Sequence, residues 1–133
     1  MAKEITQEQY FVLRTIQRFE YLMRGYKYNI SSIIFKVQAE TSVGFESIEC
    51  RRFLSIQVMD GRFYISIYKM KRPHYYSDGV TNYDSIRSED RNGIIKEIQK
   101  LERDNNFEQL IQLYGDYIES NLGEIIRGEA WFK

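Results

Sequence analysis

The chain has 133 residues, 43% hydrophobic and 29% charged, a composition that suits one ordinary domain able to bury a core without a metal or disulfide. Lysine plus arginine and aspartate plus glutamate total 19 each, and this neutral balance lacks the broad positive field of a typical nucleic-acid binder. No apolar run reaches the roughly 20 residues of a membrane helix, Met1-Ala2-Lys3-Glu4-Ile5-Thr6 lacks the apolar stretch of a signal peptide, and the lone Cys50 points to a reducing compartment. The sequence therefore reads as one cytoplasmic domain over 1–133.

The charge is unevenly spread. Residues 1–76 carry 12 basic and 7 acidic side chains, and residues 77–133 carry 7 and 12. An acidic second half suits a basic partner, though acidic helices also commonly just face water. The 11 tyrosines fit a protein-contact surface, where a large ring with a hydroxyl is ordered at low entropic cost.

The first element is a helix. Thr6-Gln7-Glu8-Gln9 has capping-box spacing, with Ile5 and Tyr10 placed for a hydrophobic staple. Val12, Ile16, Phe19 and Met23 share a face that Leu13 and Leu22 widen, Arg14, Arg18 and Glu20 point elsewhere, and Gly25 is the stop. Residues 30–40 alternate Ile33, Phe35, Val37 and Ala39 with Ile34, Lys36, Gln38 and Glu40. The β-branched content favours a strand, while Ile30, Ile33, Ile34 and Val37 also match helical spacing, so residues 26–52 stay open between strand and helix. Thr41-Ser42-Val43-Gly44 reads as a turn, followed by an irregular strand over 45–52.

Asp60-Gly61 is the preferred pair for a two-residue hairpin. It sets Met59 against Arg62, Val58 against Phe63, Ile56 against Ile65 and Leu54 against Ile67. Leu54, Ile56, Val58, Phe63, Ile65 and Ile67 then form a core-facing patch. Phe53, Ser55, Gln57, Tyr64, Ser66 and Tyr68 form a mixed face for solvent or a partner. Residues 71–88 read as a long loop, with Val80 to Ile86 as a short edge strand. A helix from Ser88–Asp90 uses Ile94, Ile98 and Leu101. Asp104-Asn105-Asn106 caps a last helix carrying Leu110, Tyr114, Tyr117, Ile118, Leu122, Ile125 and Ile126, in which Gly115 marks close packing or a bend. Gly123 is a break and Gly128 an end, after which Trp131 and Phe132 fold back. The predicted fold is α+β: an N-terminal helix, an antiparallel sheet of three to four strands with a central hairpin, and two C-terminal helices packed on one sheet face.

Catalytic motifs are missing. There is no phosphate-binding glycine loop and no nucleophile elbow. His74 is the single histidine, which excludes a zinc site built on several histidines and cysteines. Cys50 with His74 is a formal dyad without a surrounding motif. Glu89 and Asp90 are adjacent on a helix start, where negative charge is favoured, and adjacent helical residues diverge. No enzyme, metal or cofactor is expected. The candidate partner-binding residues are His74, Tyr75, Tyr76, Asp78, Tyr83, Asp84, Glu89 and Asp90, which combine aromatic anchors with acidic groups. Arg51-Arg52, Arg62 and Lys69-Met70-Lys71-Arg72 with Tyr64 and Tyr68 make an alternative basic, aromatic strip for single-stranded nucleic acid, against which the neutral charge argues.

The stretch Leu113-Tyr114-Gly115-Asp116-Tyr117-Ile118-Glu119-Ser120-Asn121-Leu122, followed by Ile125-Ile126-Arg127-Gly128-Glu129-Ala130-Trp131, resembles the ending of bacterial immunity proteins from polymorphic-toxin and contact-dependent growth-inhibition systems. The resemblance covers roughly the last twenty residues and the helix–hairpin–helix order, and it transfers no binding residue. It implies a cofactor-free inhibitor that occludes a cognate toxin, for instance a basic nuclease domain.

Overall fold

Turn chemistry places the centre of the sheet. In the computed structural model, which describes residues 5–37 and 39–132 (and the side chains of all of these but 36 and 37), Asp60 and Gly61 both have positive φ, 50° and 76°. Their tight turn joins β3 (Arg52–Met59) to β4 (Arg62–Arg72) with Met59 opposite Arg62, Ile56 opposite Ile65 and Leu54 opposite Ile67, the register expected from the sequence. Leu54, Ile56, Phe63, Ile65 and Ile67 are buried on one face, with Val58 packed beside them.

The sheet extends further than the sequence pattern suggests. β1 (Asn29–Val37) and β2 (Glu40–Ser47) precede the hairpin, β5 (Tyr75–Thr81) follows it, and the strands run in the order β1-β2-β3-β4-β5, each antiparallel to the next. The sheet thus has five strands rather than three to four. The helical alternative for residues 26–52 is excluded over β1 and β2. Thr41-Ser42-Val43-Gly44, expected as a turn, lies inside β2 and pairs with β3 throughout. The expected loop over 71–88 is instead the end of β4, the whole of β5 and two 3-10 turns, Asn82–Ser85 and Ser88–Asp90. The readings placed on the side chains of Lys36, Val37 and Gln38, and on Met1–Glu4, lie outside the described residues.

The capping box forms as its spacing requires. The Gln9 N–H donates to Thr6 Oγ1 at 3.1 Å and the Thr6 N–H to Gln9 Oε1 at 3.0 Å, opening α1 (Gln7–Arg18). The helix breaks at Phe19 before resuming as α2 (Glu20–Gly25). Two features accompany the break. The Thr15 hydroxyl donates back to the Phe11 carbonyl at 2.8 Å, a contact that bends helices. The Phe19 ring, fully buried, packs at 6.0 Å from Phe45 of β2. The buried face is Phe11, Val12, Thr15, Phe19 and Leu22, whereas Leu13 is exposed. The proposed staple residues Ile5 and Tyr10 are exposed as well.

The C-terminal segment forms three helices rather than two: α3 (Arg91–Arg103), α4 (Phe107–Asn121) and α5 (Gly123–Ile126). Asn106 caps α4 through its side-chain oxygen, which accepts from the Gln109 N–H at 3.2 Å. The inward residues Ile98, Leu110, Ile111, Tyr114, Ile118, Leu122, Ile125 and Ile126 join Phe11, Phe19, Val43, Phe45 and the hairpin residues in one core. Each such side chain contributes about 1.5–3 kcal/mol when fully buried. No described helix is long and apolar enough to cross a membrane.

Arg14 and Arg18 bind α1 to α4. Arg14 donates to Gln112 Oε1 at 2.9 Å and pairs with Glu108 at 3.3 Å, and Arg18 pairs with Asp116 and Glu119. The sequence places these arginines away from the helix contact. In the fold, much of the charge asymmetry between the two halves is neutralised internally.

Candidate interaction face

Because side chains alternate along a strand, the face of the sheet opposite the core has a composition of its own. Pairing carries one row across all strands: Ser32, Gly44, Ser55, Ser66 and Thr81. These small residues form a shallow trough, and Ser66 and Thr81 share a hydrogen bond of 2.9 Å. Asn29, Glu46, Phe53 and Tyr68 make the row on one side, and Ile34, Ser42, Gln57 and Tyr64 the row on the other. No described helix packs on this face.

Three rings cluster at one end of it. Phe53 stacks on Tyr76 with centroids 4.2 Å apart and planes 12° off parallel, and Tyr68 lies 5.9 Å from Phe53 and 6.3 Å from Tyr76. Two glycines seat these rings. A Cβ on Gly44 would lie 2.9 Å from Phe53 Cε2, and one on Gly79 would collide with the ring of Tyr68. The Tyr76 hydroxyl donates to Glu46 Oε2 at 2.8 Å. Burial and then this carboxylate push the Tyr76 phenol up to about 12. Glu46 is itself enclosed, its side chain 13% exposed, with His74 Nδ1 3.7 Å away.

The partner-binding residues expected from the sequence fall into two groups. His74, Tyr75, Tyr76 and Asp78 lie at and beyond the β4–β5 connection. His74 and Tyr75 are exposed, the Arg72 guanidinium sits 4.7 Å over the Tyr75 ring, and Asp78 is 4.0 Å from Lys69. The other four lie past the far end of β5, which spans about 20 Å. The Tyr83 hydroxyl donates to Glu102, beside a cleft of about 820 Å³ lined by Arg62, Phe63, Asn82, Glu102 and Phe107. Asp84 lies 3.9 Å from Arg91. Asp90 accepts from the Tyr117 hydroxyl at 2.7 Å, and Glu89 is exposed. Tyr83 and Asp90 thus tie the 3-10 turns to α3 and α4. Missing from the sequence-based set are Glu46, Phe53 and Tyr68. The alternation of the hairpin already places Phe53 and Tyr68 together, but nothing around the irregular 45–52 segment marks Glu46.

The basic strip is divided between the two faces. Tyr64 and Tyr68 are on the open face. Arg52 and Lys69 point to the helical side, 4.9 Å and 5.2 Å from the Trp131 ring. Arg52 is buried, donating from Nε to the Ile125 carbonyl at 2.9 Å and from Nη2 to the Ala130 carbonyl at 2.8 Å. Cys50 and His74 have separate partners. The Cys50 thiol donates to the Tyr26 carbonyl at 3.3 Å, while His74 faces Glu46. Among the described residues no group of three or more His, Cys, Asp or Glu side chains is placed to hold a metal ion.

No family model, curated protein or solved structure matches the chain.

Proposed function

We propose that this protein binds one partner protein and neutralises it by direct contact, as an immunity-type inhibitor acts on its cognate toxin, and that the open face of the sheet is the contact surface. The observation that supports this reading is that face itself: the Phe53, Tyr68 and Tyr76 cluster beside a trough of small residues, with no described helix over it. Large rings held in fixed positions lose little entropy on binding and are the residue types that dominate protein contacts. The reading needs no cofactor, places the protein in the cytoplasm, and suits a basic toxin such as a nuclease domain.

The test is purification of the tagged protein from its own cells, with mass spectrometry of what stays bound. A stoichiometric toxin-domain partner, lost when Tyr75→Ala and Tyr76→Ala are combined, is the expected result. A toxin that binds the double variant equally well removes this end of the face from the contact. Recovery of nucleic acid, or of no partner, overturns the inhibitor reading.

A further inference from the structure

We propose that Glu46 is the anchor of the open face, a carboxylate that receives an arginine or lysine side chain of the bound protein against the rings of Phe53, Tyr68 and Tyr76. This inference rests on the partner-binding reading of the same face.

Most acids of the described ion pairs lie at the surface beside an arginine or lysine, whereas Glu46, like Glu102 and Asp90, accepts from a tyrosine hydroxyl. Glu20, Glu49, Glu108, Asp116, Glu119, Glu124 and Glu129 each pair with an arginine or lysine, although their side chains are 46–68% exposed. Glu46, at 13%, is the most enclosed acid of the described ion pairs. Yet its neighbours are a neutral phenol, Tyr76, and an exposed histidine 3.7 Å away. An ionised carboxylate offers about four acceptor sites, and enclosing one without a strong cation is costly. One hydrogen bond from Tyr76 leaves most of that capacity open.

The charge distribution on the face favours a cation as the missing partner. Among the described side chains, Glu46 is the one acid in the trough and the two rows beside it; Glu40 lies one row further out, opposite Met59, and Arg62 and Arg72 stand at opposite ends of β4. Glu40 already accepts from Gln57 Nε2 at 2.7 Å. Beside Glu46, the three rings present electron-rich faces that attract a guanidinium or ammonium group, and the planar guanidinium can both stack on a ring and pair with a carboxylate.

The experiment uses the full chain labelled with nitrogen-15 and two peptides, N-acetyl-Gly-Arg-Gly-amide and its neutral counterpart with citrulline in place of arginine, at low ionic strength. The arginine peptide should give saturable shifts at the amides of Gly44, Glu46, Phe53 and Gly79. The citrulline peptide should bind about tenfold more weakly, as expected for loss of a charge-assisted hydrogen bond. Glu46→Gln keeps the shape and an acceptor for Tyr76, so its spectrum and melting temperature should stay close to those of the parent while its response to arginine falls to the citrulline level. Equal binding of the two peptides, shifts elsewhere, or an unchanged response in Glu46→Gln overturns the anchor. Capture of the natural partner by the Glu46→Gln protein at undiminished strength also overturns it while leaving the inhibitor reading in place. Absence of any partner for the parent protein defeats that reading separately from the peptide result.

Discussion

Arg18 lies across Gly115. A Cβ built on Gly115 would fall 2.5 Å from Arg18 Cγ and 2.9 Å from Arg18 Nε, so the glycine is the gap through which α1 sends its arginine over α4 to Asp116 and Glu119. Ala is ordinarily favoured over Gly inside a helix by about 1 kcal/mol. Here Gly115→Ala should destabilise the protein by about 1–2 kcal/mol, because it displaces the stem of Arg18 and loosens its ion pairs. In an Arg18→Ala background the same change should become stabilising by up to about 1 kcal/mol. A double-mutant cycle by chemical denaturation reads the reversal. Additive effects would mean that the two side chains do not compete for the space.

Arg52 closes the C-terminal turn, bridging the Ile125 and Ala130 carbonyls on the buried side of the sheet. Burial lowers its pKa from the ordinary arginine value, but a guanidinium still keeps its charge at neutral pH. Arg52→Met fills similar volume and leaves both carbonyls without this donor. The expected cost is about 3 kcal/mol, within the range for removing a charged donor from enclosed acceptors. Trp131, the chain's one tryptophan, lies against Arg52, so its emission should shift to the red as the tail loosens. An unshifted emission with full stability would remove Arg52 from the docking of the tail.

Gly128 ends α5 with φ of +81°, and a Cβ there would collide with the backbone carbonyl of Cys50. Both the backbone conformation and the neighbouring carbonyl resist a side chain. Gly128→Ala should therefore cost about 3 kcal/mol. Gly25→Ala is the contrasting variant. It closes α2 with nothing within 4 Å of the added carbon, and should be neutral or stabilising by about 0.5–1 kcal/mol. Thermal unfolding of the pair separates the two cases, and a similar melting temperature for both would deny the conformational account of Gly128.

Glycine also explains where the sequence misleads. Asp60-Gly61 is a turn, and the whole β3–β4 register follows from it. Gly44 and Gly79 give the same turn signal locally, yet both lie inside strands, because each seats an aromatic ring from the adjacent strand: Phe53 over Gly44 and Tyr68 over Gly79. That requirement is set by residues 9 and 11 positions away (Gly44 to Phe53, Gly79 to Tyr68), so a local reading makes a turn of residues 41–44 inside β2 and a loop of most of β5. The same non-local pairing hides Glu46, whose place in the aromatic cluster comes from Tyr76, brought beside it by the folded sheet. The hairpin's alternation does reveal the open face and its aromatic character. Arg14 and Arg18 were legible only as charges on a helix, since the acids they meet on α4 are about a hundred residues later.

Tyrosine ionisation offers the last prediction. Tyr76 and Tyr83 are each pushed up to about 12, first by burial and then by donating to Glu46 and Glu102. An unfolded tyrosine ionises near 10, so the fold favours the neutral phenol. The resulting stabilisation is complete below pH about 10 and is lost as pH rises from there towards about 12. Stability to denaturant should fall through that window. Glu102→Gln removes the carboxylate's contribution and leaves burial in place, so the Tyr83 pKa should drop only part of the way back to 10. Tyrosinate absorbance in the near ultraviolet follows this titration. A complete return to 10 in Glu102→Gln would make the carboxylate, rather than burial, the dominant cause, and no change at all would break the link between Tyr83 and Glu102.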